Sequence, residues 1–174
     1  MLRALSFCLL AAASAAGPML LHVERGLGEL NVRFELLAPL PEAIQSTVSS
    51  GVEVHVRYPI RVYSRRRMWW DNRIWKGEAR TTTTFDAITG RYQCSLTVNG
   101  ETTVSRELDT AEEALKWLTA PPPLNLPLPP SRQNAFLRVE VRAVFASGTK
   151  WLVFPSTEGT KWVAVRLEAP RDKE

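Results

Sequence analysis

The sequence predicts a mostly β domain, either a β-sandwich or an α+β fold, with about seven mainly antiparallel strands and two short helices. Three observations support this fold class. Apolar and polar residues alternate with a period of two over several segments, which is typical of strands that bury one face. An Asn-Gly pair marks a tight hairpin, and only two stretches carry helix signals.

The chain begins with the layout of a cleavable export signal. One basic residue precedes the apolar run Leu5–Ala12, which is too short to span a bilayer, and small residues follow at Ala13–Gly17. We therefore predict that residues 1–16 are removed by cleavage after Ala15 or Ala16, and that the mature protein is periplasmic or secreted. No later stretch is long and apolar enough for a transmembrane anchor.

Cleavage would also change the cysteine content and the charge. It removes Cys8 and leaves Cys94 alone, so no intrachain disulfide can form and we expect Cys94 to be a small buried hydrophobe. It also removes Arg3, which lowers the formal charge of +4 by one. So modest a positive charge on an exported chain makes nucleic acid a poor partner and favours anionic components of the envelope.

The clearest strand is Val52–Val62, where the even positions are apolar and the odd positions are mostly polar. Because Pro59 has no N–H to donate, we expect this strand to lie at a sheet edge or to bend there. Asn99-Gly100 predicts a type I′ turn, since both residues tolerate positive φ. With a looser connection at Asp86–Gly90, this turn predicts a three-stranded meander over residues 73–107. Further alternating segments lie at 31–36, 137–145 and 163–167.

Two helices and a proline-rich segment are predicted. The first helix is Pro41–Ser50, and the second begins at a capping box formed by Asp109 and Glu112. Pro121–Pro130 must be extended and mostly polyproline II, either as a ligand for a proline-binding domain or, as we favour, as a strap across the edge of the core. We divide the mature chain into a loose N-terminal segment (17–30), a single β-rich domain (31–168) and a charged tail (169–174).

The sequence carries no recognised catalytic, cofactor or metal motif. A His-Glu-x-x-His pair, a Cys-x-x-Cys pair, a Gly-x-Ser-x-Gly elbow and a glycine-rich phosphate loop are all missing. His22 and His55 with one thiol cannot build the usual zinc site without carboxylates, and we expect His55 to be a solvated strand residue. We therefore predict no catalytic residue, no cofactor and no metal ion, and we favour a protein that is not an enzyme.

Residues 65–75 stand out because they hold four arginines and three tryptophans. A guanidinium group binds phosphate or carboxylate, and an indole stacks on sugars or lies at a membrane interface. The alternative, which we favour, is structural: the tryptophans cover the core where two strands turn, and the arginines are solvated or stacked over them. The candidate ligand or partner surface consists of Arg65, Arg66, Arg67, Trp69, Trp70, Asp71 and Arg73.

Four segments form an ordered pattern. They are Arg65-x-Arg67-x-Trp69-Trp70-Asp71, Phe85-x-x-Ile88-Thr89-x-x-Tyr92, Leu108-Asp109-Thr110-Ala111-Glu112-Glu113-Ala114-Leu115 and Leu137-Arg138-Val139-Glu140-Val141. This order, over residues 30–146, resembles a bacterial family of exported proteins known only as a domain of unknown function. The resemblance implies a periplasmic location and, through the gene neighbourhoods of some relatives, a link to membrane sensor kinases. It implies no activity, so no catalytic residue carries over.

Three functional hypotheses remain open. We favour a non-catalytic binding module of the bacterial envelope, whose partner is an envelope protein such as the outer domain of a sensor-type membrane protein. The second hypothesis is an enzyme that acts on envelope glycans or lipids through dispersed carboxylates facing each other across a cleft. The third is direct capture of anionic lipid or polymer by residues 65–73.

Overall fold

The computed structural model describes residues 11–14, 19–65, 71–145 and 158–169, and it contains two antiparallel sheets and two short helices. The predicted mostly β fold is therefore confirmed. In chain order the elements are β1 (Ala11–Ser14), β2 (Met19–Arg25), β3 (Glu29–Leu36), α1 (Glu42–Thr47), β4 (Val54–Ser64), β5 (Asn72–Asp86), β6 (Arg91–Val98), β7 (Glu101–Leu108), α2 (Ala111–Thr119), β8 (Leu124–Pro127), a 3₁₀ turn (Pro130–Arg132), β9 (Leu137–Val141), β10 (Val144–Phe145), β11 (Glu158–Gly159) and β12 (Val163–Leu167). Within these ranges, no helix is long and apolar enough to cross a membrane.

The smaller sheet, sheet A, has the strand order β1-β2-β3-β8. β2 and β3 form a hairpin that buries Met19, Leu21 and Val23 completely. The prediction of a loose segment at residues 17–30 is therefore wrong for β2. Its apolar–polar alternation is hard to recognise in the sequence because Leu20, on the opposite face, is apolar as well. β1, which lies within the predicted signal, pairs with the other edge of β2.

The proline-rich segment 121–130 closes the far edge of sheet A. Its central part, β8, pairs with β3, and the leucines Leu124, Leu126 and Leu128 are buried. The interpretation as a strap over the core therefore agrees with the structure. The residues of β8 form a strand and not the expected polyproline II helix, because the backbone N–H and C=O groups at the edge of β3 can form hydrogen bonds with them.

The larger sheet, sheet B, has the order β11-β10-β4-β5-β6-β7, with β9 also on β4 and β12 on β9. β4 is thus central, so the edge alternative predicted for this strand is wrong. Its register shift against β5 lies between Val62 and Tyr63 and not at Pro59. β9 and β10 both pair with β4 in the same register, and the break between these two strands lies opposite Pro59. Arg142 donates its backbone N–H to the Pro59 carbonyl at 3.4 Å, but Pro59 has no N–H to return. The break between β9 and β10 therefore lies where Pro59 has no backbone N–H to donate to a partner strand.

The core lies between sheet A and the inner face of sheet B, and α2 covers the rest of that face. The rings of Phe34 and Tyr58 join the two sheets with their centroids 4.6 Å apart. α2 is fixed by the Tyr58 hydroxyl, which donates to the Leu118 carbonyl at 2.5 Å, and by the Trp117 indole N–H, which donates to the Ser95 carbonyl at 3.2 Å. Sheet B therefore presents its charged residues on its outer face.

Most of the local structural predictions are confirmed. α1 lies within the predicted Pro41–Ser50, and the β5–β6–β7 meander has positive φ at Asn99 and Gly100 as expected. Cys94 is only 2% exposed, as predicted. The capping box of α2 is wrong by one residue: Thr110 and Glu113 form it instead of Asp109 and Glu112.

Candidate binding face

The strand registers gather basic side chains on the outer face of sheet B. The even residues of β4, such as Tyr58, face the core, so the odd residues Arg57 and Arg61 face outward. Residues directly opposite on β5, β9 and β12 share that face. We call the resulting set the basic face, which consists of Arg57, Arg61, Arg73, Lys76, Arg80, Arg138, Arg142 and Arg166.

Like charges meet across the strands of the basic face. Three pairs of cations are directly opposite each other: Arg57 with Arg80, Arg61 with Lys76, and Arg138 with Arg166. Such pairs destabilise a sheet, because the side chains are close and repel each other. The positive potential of this face therefore opposes folding wherever carboxylates do not offset it.

One carboxylate relieves the repulsion between Arg57 and Arg80. Glu78 lies 3.0 Å from Arg57 Nη2 and 3.6 Å from Arg80 Nη2. The nearby imidazole of His55 is half-buried, and burial lowers its pKa, with a further lowering by Arg80. This part of the basic face is thus a compact, partly neutralised network.

A second network surrounds Arg138 at the other end of the basic face. Its Nη1 lies 3.5 Å from the Asp71 carboxylate, and its Nε lies 3.2 Å from Glu140. The guanidinium group also lies over the Tyr63 ring, 4.8 Å from the centroid. Arg138 is therefore held by two carboxylates and one aromatic ring.

A third group combines two arginines with a tryptophan, and we call it the Arg61–Trp162–Arg142 cluster. The guanidinium carbons of Arg61 and Arg142 lie 4.2 Å and 4.9 Å from the Trp162 ring centroid. Within the described residues, neither arginine has a carboxylate within 4.0 Å. The Arg142 Nε atom is buried and has no hydrogen-bond partner there. The cluster thus places two positively charged side chains against one aromatic ring.

A shallow groove of about 450 Å³ lies beside the basic face, on β5, β6 and β7. Its polar lining includes Thr82, Gln93 and Ser95. The groove also contains Glu107, which is ion-paired with Arg91 at 3.2 Å. In the part of the chain that the structure describes, no group of three His, Cys, Asp or Glu residues could hold a metal ion.

A scan against protein families matches residues 19–148 to the family described as Domain of unknown function (DUF4390). The chain belongs to this family. Searches of curated proteins and of solved structures found no match. The DUF4390 match spans β2 to β10 and includes every member of the basic face except Arg166; Trp162 also lies outside it. The predicted resemblance to a domain of unknown function is thereby confirmed.

The predicted surface of this DUF4390 protein is only partly described. Arg65, Asp71 and Arg73 are exposed where β4 ends and β5 begins, and Arg65 donates its backbone N–H to the Phe136 carbonyl at 3.0 Å. Arg73, opposite Tyr63, belongs to the basic face, and Asp71 borders it through its ion pair with Arg138. The other members of the predicted surface lie outside the described residues: Arg66, Arg67, Trp69 and Trp70.

The Arg61–Trp162–Arg142 cluster of the DUF4390 protein was not predicted. Its members come from β4, from the gap between β9 and β10, and from the residue before β12. Each arginine alone fits the polar side of an alternating strand, so its sequence context predicts only a solvent-exposed side chain. A pairing of β9 with both β4 and β12 would have been the signal, but alternation does not identify neighbouring strands.

Proposed function

We propose that this protein is an exported, non-catalytic binding module of the bacterial envelope, and that its basic face binds an anionic partner. The observation that supports this proposal is the set of three like-charged pairs on one face. Binding to an anionic partner needs a positive potential that folding does not need, so like-charged pairs that oppose folding are expected at a binding surface.

The exported location is supported by the signal layout of residues 1–16. We expect the mature protein to begin at Ala16 or Gly17 and to be released with the periplasmic fraction. N-terminal sequencing of the protein purified from its native cells tests this directly. A chain that retains Met1 and fractionates with the cytoplasm would contradict the proposed location.

The non-catalytic character is supported by the state of the carboxylates near the groove. Glu78 and Glu107 are engaged by arginines at 3.0 Å and 3.2 Å, which does not suit a proton donor or a free base. Glu53, which also lines the groove, is exposed and has no second free carboxylate beside it among the described lining residues. A panel of envelope glycan and lipid substrates should therefore give no turnover. Turnover that is lost in Glu53→Gln, Glu78→Gln or Glu107→Gln would support the enzyme hypothesis instead.

The partner that we propose is an envelope component with an acidic surface, such as the outer domain of a sensor-type membrane protein. The basic face would steer such a partner into contact and fix its orientation. The association should weaken as the salt concentration rises, because exposed charges are screened.

Crosslinking and pull-down from the native envelope fraction test this proposal. Lys76→Glu with Arg166→Glu reverses two exposed members of the basic face, and Arg33→Glu with Lys116→Glu is a control with the same charge change elsewhere. We expect the wild type and the control to capture the partner and the face variant to lose it. Equal capture by the face variant would overturn the proposed binding surface.

A further inference from the structure

We propose that the Arg61–Trp162–Arg142 cluster is a binding site for a phosphate-type dianion. The proposal rests on the proposed function, because it names the ligand chemistry of one part of the basic face. It requires three features, which are contact of both guanidinium groups with one indole, excess charge at the site, and a binding-competent geometry.

The strand registers explain why both guanidinium groups contact one indole. Val141 of β9 is opposite Ile60 of β4 and also opposite Val163 of β12. Arg142 and Trp162 lie one residue beyond this row on the same side and are neighbours, whereas Arg61 lies one residue beyond it on the other side, opposite Glu140. Arg61 is therefore diagonal to Arg142 across β4 and β9, and its side chain reaches the indole from there. The indole lies within 5 Å of both guanidinium carbons, as the 4.2 Å and 4.9 Å distances show.

Excess charge distinguishes this cluster from the rest of the basic face. Arg57 and Arg138 each have a carboxylate within 3.5 Å, whereas Arg61 and Arg142 have none within 4.0 Å among the described residues. Glu140 is directly opposite Arg61, but its carboxylate contacts Arg138 Nε at 3.2 Å. Arg61 and Arg142 thus have no carboxylate of their own among the described residues, and their two charges match that of a phosphate dianion. A single carboxylate would leave one positive charge without a counterion.

The geometry suits a tetrahedral oxyanion. Each guanidinium group is a planar fork that can donate two hydrogen bonds to phosphate oxygens, and the indole restricts both forks through cation–π contact. The buried Arg142 Nε–H has no hydrogen-bond partner in the described part of the chain, an unfavourable state for a charged donor that Arg57 Nε and Arg138 Nε share. An oxyanion held between the two arginines would bring acceptor oxygens close to this donor.

Titration of the wild-type protein with inorganic phosphate, followed by NMR, is the primary test. We expect saturable shifts of the Trp162 indole N–H and of the arginine Nε–H signals, with weaker binding of acetate. Arg61→Gln with Arg142→Gln should weaken phosphate binding by about tenfold or more, because two charged donor groups are lost. Arg61→Lys with Arg142→Lys should also weaken it, since lysine keeps the charge but lacks the fork.

Arg33→Gln is the matched control, because Arg33 is an exposed strand arginine on sheet A, and it should bind phosphate like the wild type. Non-saturable shifts, equal binding of acetate, or unchanged binding in both double variants would each overturn the proposal. If the glutamine variant unfolds, the lysine variant still decides, since it keeps both cations beside the indole.

Vesicles of phosphatidylcholine with and without phosphatidic acid identify the source of the phosphate group. Flotation with phosphatidic acid that free phosphate prevents would indicate a lipid headgroup, and phosphate binding without flotation would indicate a soluble phosphate compound. Either result supports the site. Envelope capture that persists while phosphate fails to bind overturns this inference alone, whereas unchanged capture by Lys76→Glu with Arg166→Glu overturns the proposed function.

Discussion

The Leu118 carbonyl accepts two buried hydrogen bonds, one from the Tyr58 hydroxyl at 2.5 Å and one from the Thr81 hydroxyl at 3.2 Å. Tyr58→Phe leaves the Thr81 bond in place, so we expect it to lower the free energy of unfolding by about 1 kcal/mol. Adding Thr81→Val removes both donors, and the double variant should lose more than the sum of the single losses. Urea denaturation of the four proteins measures this coupling, and strictly additive losses would contradict it.

His55 links the basic face to pH. Burial lowers its pKa below the ordinary 6.5; Arg80 and Arg57 add to this lowering, while Glu53 and Glu78 oppose it. The folded state therefore favours neutral imidazole, and this stabilisation is complete above the pKa of the unfolded chain and is lost as the pH falls through the lower folded-state pKa.

His55→Gln should accordingly lose less stability than the wild type when the pH is lowered from neutrality through 6.5 and below. Urea denaturation at a series of pH values measures the slope, and NMR titration of the imidazole reports the pKa itself. An imidazole that titrates above 6.5 in the folded protein would refute the assignment.

At the scale of the element, Gly77 determines how β5 meets its neighbours. A Cβ atom at this position would clash with the Trp75 ring and with the Asn99 side-chain oxygen, which accepts a hydrogen bond from the Glu78 N–H at 3.0 Å. Gly77→Ala should therefore destabilise the protein by about 1–3 kcal/mol, as is usual for overpacking. Thermal or urea unfolding measures the loss.

Trp75→Phe provides the check on this explanation. The smaller ring removes one of the two clashes, so Gly77→Ala should cost less in the Trp75→Phe background than in the wild type. An equal loss in both backgrounds would show that the indole is not the obstacle.

Alternation predicted the strands but not their neighbours. The Val52–Val62 pattern correctly assigns the buried face of β4, because side-chain direction depends only on the strand itself. Its central position depends on whether the partner strand can leave a gap opposite Pro59, which is a property of residues far along the chain. Likewise, both Asp109 and Thr110 precede a glutamate by three residues, and pattern alone cannot choose between these two caps.

The same limit explains how much of the candidate site was predictable. The density of arginine and tryptophan at residues 65–75 is visible in the sequence, and within it Arg73 belongs to the basic face and Asp71 borders it. The Arg61–Trp162–Arg142 cluster was invisible, since its members are distant in sequence and meet only through the pairing of β4, β9 and β12. Charge that is dispersed along strands becomes a surface only when the sheet order is known.

At the scale of the whole molecule, the basic face implies that stability and binding can be separated. Lys76 is exposed and directly opposite Arg61, so Lys76→Glu replaces a repulsive cross-strand pair with an attractive one. We expect the free energy of unfolding to rise by about 0.2–1 kcal/mol, with a smaller gain at high salt. The same substitution should reduce capture of the envelope partner, because it lowers the positive potential of the face. Lys116→Glu, on α2, controls for net charge and should leave capture unchanged. A Lys76→Glu protein that is more stable and still captures its partner fully would show that the repulsion serves no binding role.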